Sequence, residues 1–309
     1  MFNLQEINKK AKSDPAAFAL ECEAEYRKNI DLSVYKILKN IDKSRIVFIS
    51  GPSGSGKTTT SKIITEALKE KGYNTVEIAL DGYFKDFNPE TAPRTESGDF
   101  DFESPLCLDF DLLHQHFELI NRETGFDIPF FDFRTQRRSA KIQTVTPSEN
   151  QIFLFEGIHS LNDIISDKAP NALKIYISAR SDTYLHDKLV FKGTWIRLAR
   201  RLVRDAKFRG SPPDFVFTIW DSIRIGEKKY ISPYKSKADL IFNTALPYEI
   251  GILKNYVLQL VETVPQDIPR RNEILEFLTK FSEFQDINAD VVPKNSILRE
   301  FIGGGIYSY

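Results

Sequence analysis

Cysteine is scarce in this chain. The two that occur, Cys22 and Cys107, lie far apart among 309 residues, and neither has a metal-ligand spacing around it. That argues against a disulfide framework and against a zinc site, and it fits a reducing compartment. An excess of either charge is also lacking: 42 basic and 43 acidic residues leave a net charge of −1. A broad footprint for nucleic acid or a membrane surface is therefore not expected, and any basic site must be local. No apolar run approaches the roughly 18–20 residues needed to span a bilayer. The opening residues, "MFNLQEINKK", hold no apolar signal core. A soluble, cytoplasmic protein is the expectation, and no internal repeat or long low-complexity linker interrupts it.

What is present is an ordinary globular balance, 41% hydrophobic and 28% charged, in a chain long enough for a full core. Residues 1–44 are charged and helix-prone, with Asp14 as an N-cap followed by Pro15 at a first helical position. They are expected to form a helical leader, padding ahead of the core. At Ile46 the pattern changes. "RIVFIS" is a continuous apolar run of the kind that forms a strand covered on both faces. Similar runs follow at residues 74–80, 151–156, 172–178 and 238–243, with helical segments such as 57–71 and 111–122 among them. Strands alternating with helices predict a doubly wound α/β fold with a mostly parallel sheet. Residues 45–247 would be the core, and 248–309 a helical C-terminal extension ending in a Gly-rich coil, "FIGGGIYSY".

The first strand runs into "GPSGSGKT", residues 51–58, which matches G-x-x-x-x-G-K-[ST]. Glycines let backbone N–H groups close around phosphate oxygens at a helix N-terminus, where the dipole favours an anion. Lys57 would reach the β- and γ-phosphates, and the Thr58 hydroxyl would ligate Mg²⁺. In an open parallel sheet, ligands bind beyond the carboxyl ends of the strands. There the second strand ends in "ALDGYF", with Asp81 at its tip, and "IFLFE" ends at Glu156. Asp81 suits a base that takes a proton from an acceptor hydroxyl; Glu156 suits a partner of Mg²⁺. "WIRLARRLVRDAKFRGSPP" carries Arg197, Arg200, Arg201, Arg204, Lys207 and Arg209 before Gly210 and Pro212 end the helix. Residues 197–213 are expected to be a mobile lid that excludes water and brings arginine to the phosphoryl group. "FDFESP" and "IPFFDF" are aromatic–acid clusters, expected in loops, that suit stacking of a ring and hydrogen bonding of sugar hydroxyls. His114, His116 and His159 have no partner that makes them ligands and are expected to be structural.

A phosphate loop can serve a switch, a motor or a transferase. The D-x-x-G and N-K-x-D segments of a GTPase switch do not occur, and the strand ending in Glu156 lacks the acid dyad of a motor. A base near the acceptor and arginines in cis are what a small-molecule kinase needs.

In order along the chain, "GPSGSGKTT", "DGYF", "DFESPLCLDFDLL", "IPFFDF", "FLFEGI", "RRLVRDAKFRG" and "KADLIFNTA" resemble the motifs of the uridine kinase and phosphoribulokinase family of P-loop kinases. The segment 220–256 and "NSILREFIGG" resemble a bacterial branch described as nucleoside or uridine kinases. The resemblance implies a P-loop NTPase-type fold and an ATP- and Mg²⁺-dependent phosphotransferase with an alcohol group as acceptor, the 5′-hydroxyl of uridine or cytidine above all. It implies that Gly51, Ser53, Gly54, Ser55, Gly56, Lys57, Thr58 and Thr59 cradle ATP and that Thr58 and Glu156 serve the metal. Asp81, Lys57, Arg204 and Arg209 would be catalytic. Tyr83, Phe102, Glu103, Phe131, Phe133, Gln136 and Arg201 would contact the acceptor. Neither nucleic acid nor a membrane is an implied partner, and self-association is left open. The sequence departs from uridine–cytidine kinases at Glu103, where they have Asp, at Phe131, where they have Tyr, at Gln136 or nearby Arg137, where a His reads the pyrimidine, and at Ser211, where an Arg follows the lid glycine. The phosphoryl-transfer half is intact and the acceptor-reading half is altered. A kinase of another hydroxyl metabolite, such as a sugar phosphate, and a regulatory P-loop ATPase are the alternatives.

Overall fold

The computed structural model of the chain describes residues 1–308; Tyr309, the last residue of the expected extension, lies outside them. The chain opens with a short strand, β1 (Phe2–Asn3), and two helices, α1 (Leu4–Ser13) and α2 (Pro15–Asn40). Helix α2 starts where Asp14 accepts the Ala17 N–H and Pro15 takes the first position. Alternating elements follow: β2 (Ile46–Ser50), α3 (Lys57–Glu70), β3 (Asn74–Ala79), α4 (Phe110–Asn121), the hairpin β4 (Phe126–Asp132) and β5 (Arg137–Val145), and β6 (Gln151–Glu156). Next come α5 (Asp163–Ser166), β7 (Leu173–Ser178), β8 (Thr183–Leu185), β9 (Lys188–Phe191), α6 (Gly193–Phe208), α7 (Pro213–Tyr230) and β10 (Leu240–Asn243). Helices α8 (Glu249–Val261), α9 (Arg271–Thr279) and α10 (Arg299–Ile302) close the described chain.

Five strands form one parallel sheet in the order β10-β7-β2-β6-β3. Their uninterrupted apolar sequences have a direct cause. In β2, Val47 and Ile49 face one apolar cluster with α2, α3 and α8, while Ile46 and Phe48 face a second cluster with α4. A period of two with apolar residues on both sides reads as a continuous run.

Three expectations are corrected. Phe126–Asp132, whose "IPFFDF" suggested a loop, is a strand, because residues 137–145 supply an antiparallel partner across a turn in which Gln136 takes a left-handed conformation. Residues 1–44 are not padding: Leu4, Ile7, Phe18 and Ile30 are buried in the main core, and β1 pairs in parallel with β8. The first turns of the arginine helix α6 are not a lid. Arg197 and Arg200 are 1% and 0% exposed. The Arg200 guanidinium donates to the Glu249 carboxylate at 2.6 Å and to the Thr244 carbonyl at 2.7 Å; Arg197 does the same to Glu227 at 2.6 Å. A buried ion pair is costly to break, because the surviving charge is stranded. Arg200→Met is therefore expected to lower stability by about 3–5 kcal/mol, read in a denaturant titration. Adding Glu249→Leu to it should recover most of that loss.

Candidate active site

The parallel register brings the predicted groups to one sheet edge. Glu156, the last residue of β6, pairs with Ile49 of β2 on one side and Ala79 of β3 on the other. The glycine-rich loop begins two residues beyond Ile49, and Asp81 lies two residues beyond Ala79 in a 3₁₀ turn. Phosphate loop, Glu156 and Asp81 are thus neighbours by strand geometry. Gly56 stands at the N-cap of α3 with φ +80°, a conformation glycine adopts without strain. The Lys57 ammonium lies 3.6 Å from one oxygen of Glu156. The Thr58 hydroxyl donates to the other at 3.3 Å. Burial raises the pKa of Glu156 and the Lys57 charge opposes the rise. The Asp81 side chain is solvent-accessible; the protein atoms packed around it raise its pKa, and Lys57 and then Arg209 oppose that rise. Both countercharges therefore act on the predicted base.

Elsewhere the loop is held from behind. The Ser53 carbonyl accepts from Arg197 and its hydroxyl from Arg201 Nη1 at 2.9 Å. The Gly54 carbonyl faces Arg200, and the Ser55 carbonyl accepts from Thr244. The Thr59 hydroxyl donates to Glu300 at 2.5 Å. Asp205, which belongs to none of the predicted site residues, gathers three arginines: Arg204 at 2.7 Å, Arg201 at 3.1 Å and Arg209 at 3.7 Å. Helix periodicity with an acid at i+4 of Arg201 is the signal the sequence holds for it. Arg204 is nearly buried, while Arg209 at the helix end is exposed.

The acceptor-side residues divide between two adjoining cavities. Glu103 and Arg201 line one of about 720 Å³, with Asp101, Lys229 and Tyr230. There the Tyr230 hydroxyl donates to Asp101 at 2.6 Å. The Glu103 side chain lies against Gly226 of α7, where a Cβ would stand 2.5 Å from its own Cβ. Phe131, Phe133 and Gln136 line the other, of about 350 Å³. Phe102 borders both. Tyr83 belongs to neither: it is fully buried, its hydroxyl bonded to His116 Nδ1 at 2.7 Å. Its expected acceptor contact passes to the next residue. Phe84 packs 5.5 Å from Phe131 and 5.7 Å from Phe133 and lines the smaller cavity. The 3₁₀ turn at residues 80–83 buries Tyr83, the residue implied by the resemblance, and leaves Phe84 half-buried at the cavity, an outcome that sequence spacing does not reveal.

A parallel sheet with a phosphate loop at its central strand end, carboxylates at the ends of the next two strands on one side, β6 and β3, and arginines of α6 beside the loop defines a P-loop phosphotransferase. The model of the phosphoribulokinase / uridine kinase family matches residues 46–249, and the chain belongs to that family. It is a kinase acting on an alcohol acceptor, with ATP the co-substrate that membership implies. The chain is 30% identical over 200 residues to a uridine kinase of Bacillus pumilus, covering 64% of this chain and 86% of that one. With a uridine kinase of Anoxybacillus flavithermus it shares 29% over 236 residues, 75% and 99% of the two lengths. A uridine kinase of Schizosaccharomyces pombe is 32% identical over 168 residues, and there this chain spans only 33% of the relative's length. The solved structure of a possible uridine kinase from Bacillus stearothermophilus superposes with a TM-score of 0.46 at 20% identity, over 71% of this chain and 100% of that one. No described helix is long and apolar enough to cross a membrane.

Proposed function

We propose that the protein is an ATP- and Mg²⁺-dependent kinase that phosphorylates the 5′-hydroxyl of a nucleoside, with uridine or cytidine as the preferred acceptor. The observation that carries this reading is the position of Asp81. Strand register sets it beside the phosphate loop and Glu156, and its charge is felt by Glu103 at the larger cavity, which supports its reading as the base between donor and acceptor. The uridine kinase relatives support the choice of acceptor.

The loop N–H groups and Lys57 hold the phosphates, and Asp81 takes the proton of the incoming hydroxyl. Arg204 and Arg209 neutralise charge on the transferring group, held ready by Asp205. Glu103 and Phe102 meet the sugar; Phe84, Phe131, Phe133 and Gln136 frame the base. A metal fits here on the donor set alone. Among the described residues no cluster of three acids, histidines or cysteines could hold one by itself. One hydroxyl and one carboxylate, Thr58 and Glu156, suit Mg²⁺, which takes its other ligands from substrate phosphates and water. Such an ion would offset phosphate charge and orient the triphosphate.

Arg201 and Lys229 line the same cavity as Glu103. These basic groups favour, as a second reading, an acceptor that carries its own phosphate. The test is ADP release with Mg-ATP and a panel of nucleosides and sugar phosphates. Turnover stimulated by pyrimidine nucleosides supports the proposal; stimulation only by sugar phosphates moves it to the second reading. ADP release that ignores every acceptor overturns both.

Glu103 adds a pH signature. Burial pushes its pKa up to about 7, with Arg201 pulling the other way. The ionised form is the better acceptor of sugar hydroxyl protons. Acceptor kcat/KM should thus rise with pH through about 7. Glu103→Gln should flatten that rise while leaving the KM for ATP unchanged. A midpoint that persists in the variant would remove Glu103 from the acceptor contact.

A further inference from the structure

The C-terminal segment, far from the loop in sequence, is packed onto it. Ile297 is fully buried, and its Cδ1 occupies the place where a Cβ on Gly56 would come within 2.2 Å. One turn on, the Glu300 carboxylate, 8% exposed, accepts from the Thr59 hydroxyl at 2.5 Å and from the Thr59 N–H at 3.4 Å. Thr59 is the third residue of α3. First-turn N–H groups of a helix have no intrahelical acceptor and attract anions, and these same groups serve a nucleotide phosphate in a loop of this type. Glu300 also makes its charge felt at Glu156 and Arg209, inside the site. The segment is a compact unit, cross-braced by the Arg299 guanidinium on the carbonyls of Ala289, Val292 and Gly303. It reaches the arginine helix as well. Lys207 donates to the Ile302 carbonyl at 2.8 Å, and the Phe208 ring lies against Gly303. Both belong to the end of α6, between Arg204 and Arg209.

We propose that residues 296–303 are an anion-displaced latch, in which Glu300 competes with the triphosphate for the first-turn donors of α3. The inference rests on the reading of the loop as a triphosphate site. Two anions cannot share those donors without repulsion, which is strong in a partly buried site. Triphosphate binding drives Glu300 off Thr59 and loosens the segment from Gly56. Through Lys207 and Phe208 it also frees the end of α6, where Arg204 and Arg209 must settle on the phosphoryl group. Donor binding and arginine placement are thereby coupled.

The test is calorimetric titration of the whole protein with Mg-ATP, beside hydrogen exchange of residues 296–303. In the wild type, ATP should accelerate exchange across this segment. Glu300→Gln keeps an acceptor for Thr59 but removes the charge; it should bind ATP about tenfold more tightly and exchange faster before ATP is added. Thr59→Ala removes the anchor from the other side and should also speed exchange, so the proposal survives a poorly folding Glu300 variant. Unchanged or weaker ATP binding by Glu300→Gln, or exchange that ATP slows in the wild type, overturns the latch. A wild type that binds no nucleoside triphosphate overturns the loop assignment itself, a different result from a wild type that binds ATP with an inert tail.

Discussion

Asp81→Asn should lower kcat for phosphoryl transfer by about 10²–10⁴-fold, the range for loss of a general base, with ATP affinity unchanged or slightly improved. The amide is nearly isosteric and fits the 3₁₀ turn after β3, so the fold and the phosphate loop are untouched. What disappears is a group that can accept the hydroxyl proton. Removing a negative charge that interacts with Lys57 and Arg209 also relieves repulsion against the triphosphate. The two effects have opposite signs on turnover and binding, and separate measurement of steady-state kcat and ATP Kd resolves them. Turnover within tenfold of wild type would remove Asp81 from the base role.

The second large effect is expected at Lys57. Lys57→Met should reduce kcat by about 10²–10³-fold, as for deletion of one charged contact to a transition state, and should weaken ATP binding as well. The ammonium is almost enclosed, 3.6 Å from Glu156, and it bonds the Pro52 carbonyl at 3.4 Å. Without it Glu156 loses its main countercharge. Burial already raises that carboxyl's pKa, so in the variant it should take up a proton at a higher pH than in the wild type. The Glu156 side chain is 18% exposed and keeps its bond from the Thr58 hydroxyl, so the variant should fold. A circular dichroism melt near that of the wild type, with kcat reduced and KM for ATP raised, is the expected pattern. A change in KM alone would mean that Lys57 binds the ground state and transition state equally.

These two positions are legible in the sequence because the information is local. Residues 51–58 are contiguous, and a phosphate cradle needs only those glycines, that lysine and a following helix. Asp81 and Glu156 are distant in sequence, but each ends an apolar strand, and a parallel sheet puts strand ends on one edge. The arginines are harder to read. Arg197, Arg200, Arg201 and Arg204 share a helix and a residue type, yet two are locked to Glu227 and Glu249, 30 and 49 residues away. Helical periodicity states which face each arginine occupies, not what lies opposite it. The acceptor side is least legible. Phe102 and Glu103 are adjacent, yet Phe102 borders both cavities and Glu103 only the larger one, and the turn that buries Tyr83 and presents Phe84 depends on the hairpin packed behind it. The Glu300 contact with Thr59 joins residues 241 apart, with no periodic signal between them.

By itself the sequence determined the doubly wound sheet, the phosphate loop and the carboxylates at the strand ends, because hydrophobic period and loop geometry are short-range properties. The tertiary structure decided which arginines are tethers and which face the cleft, which aromatics line a cavity, and that the C-terminal segment sits on the phosphate loop. Those outcomes depend on burial and charge pairing between distant segments, and such pairings exist only once the chain has closed on itself.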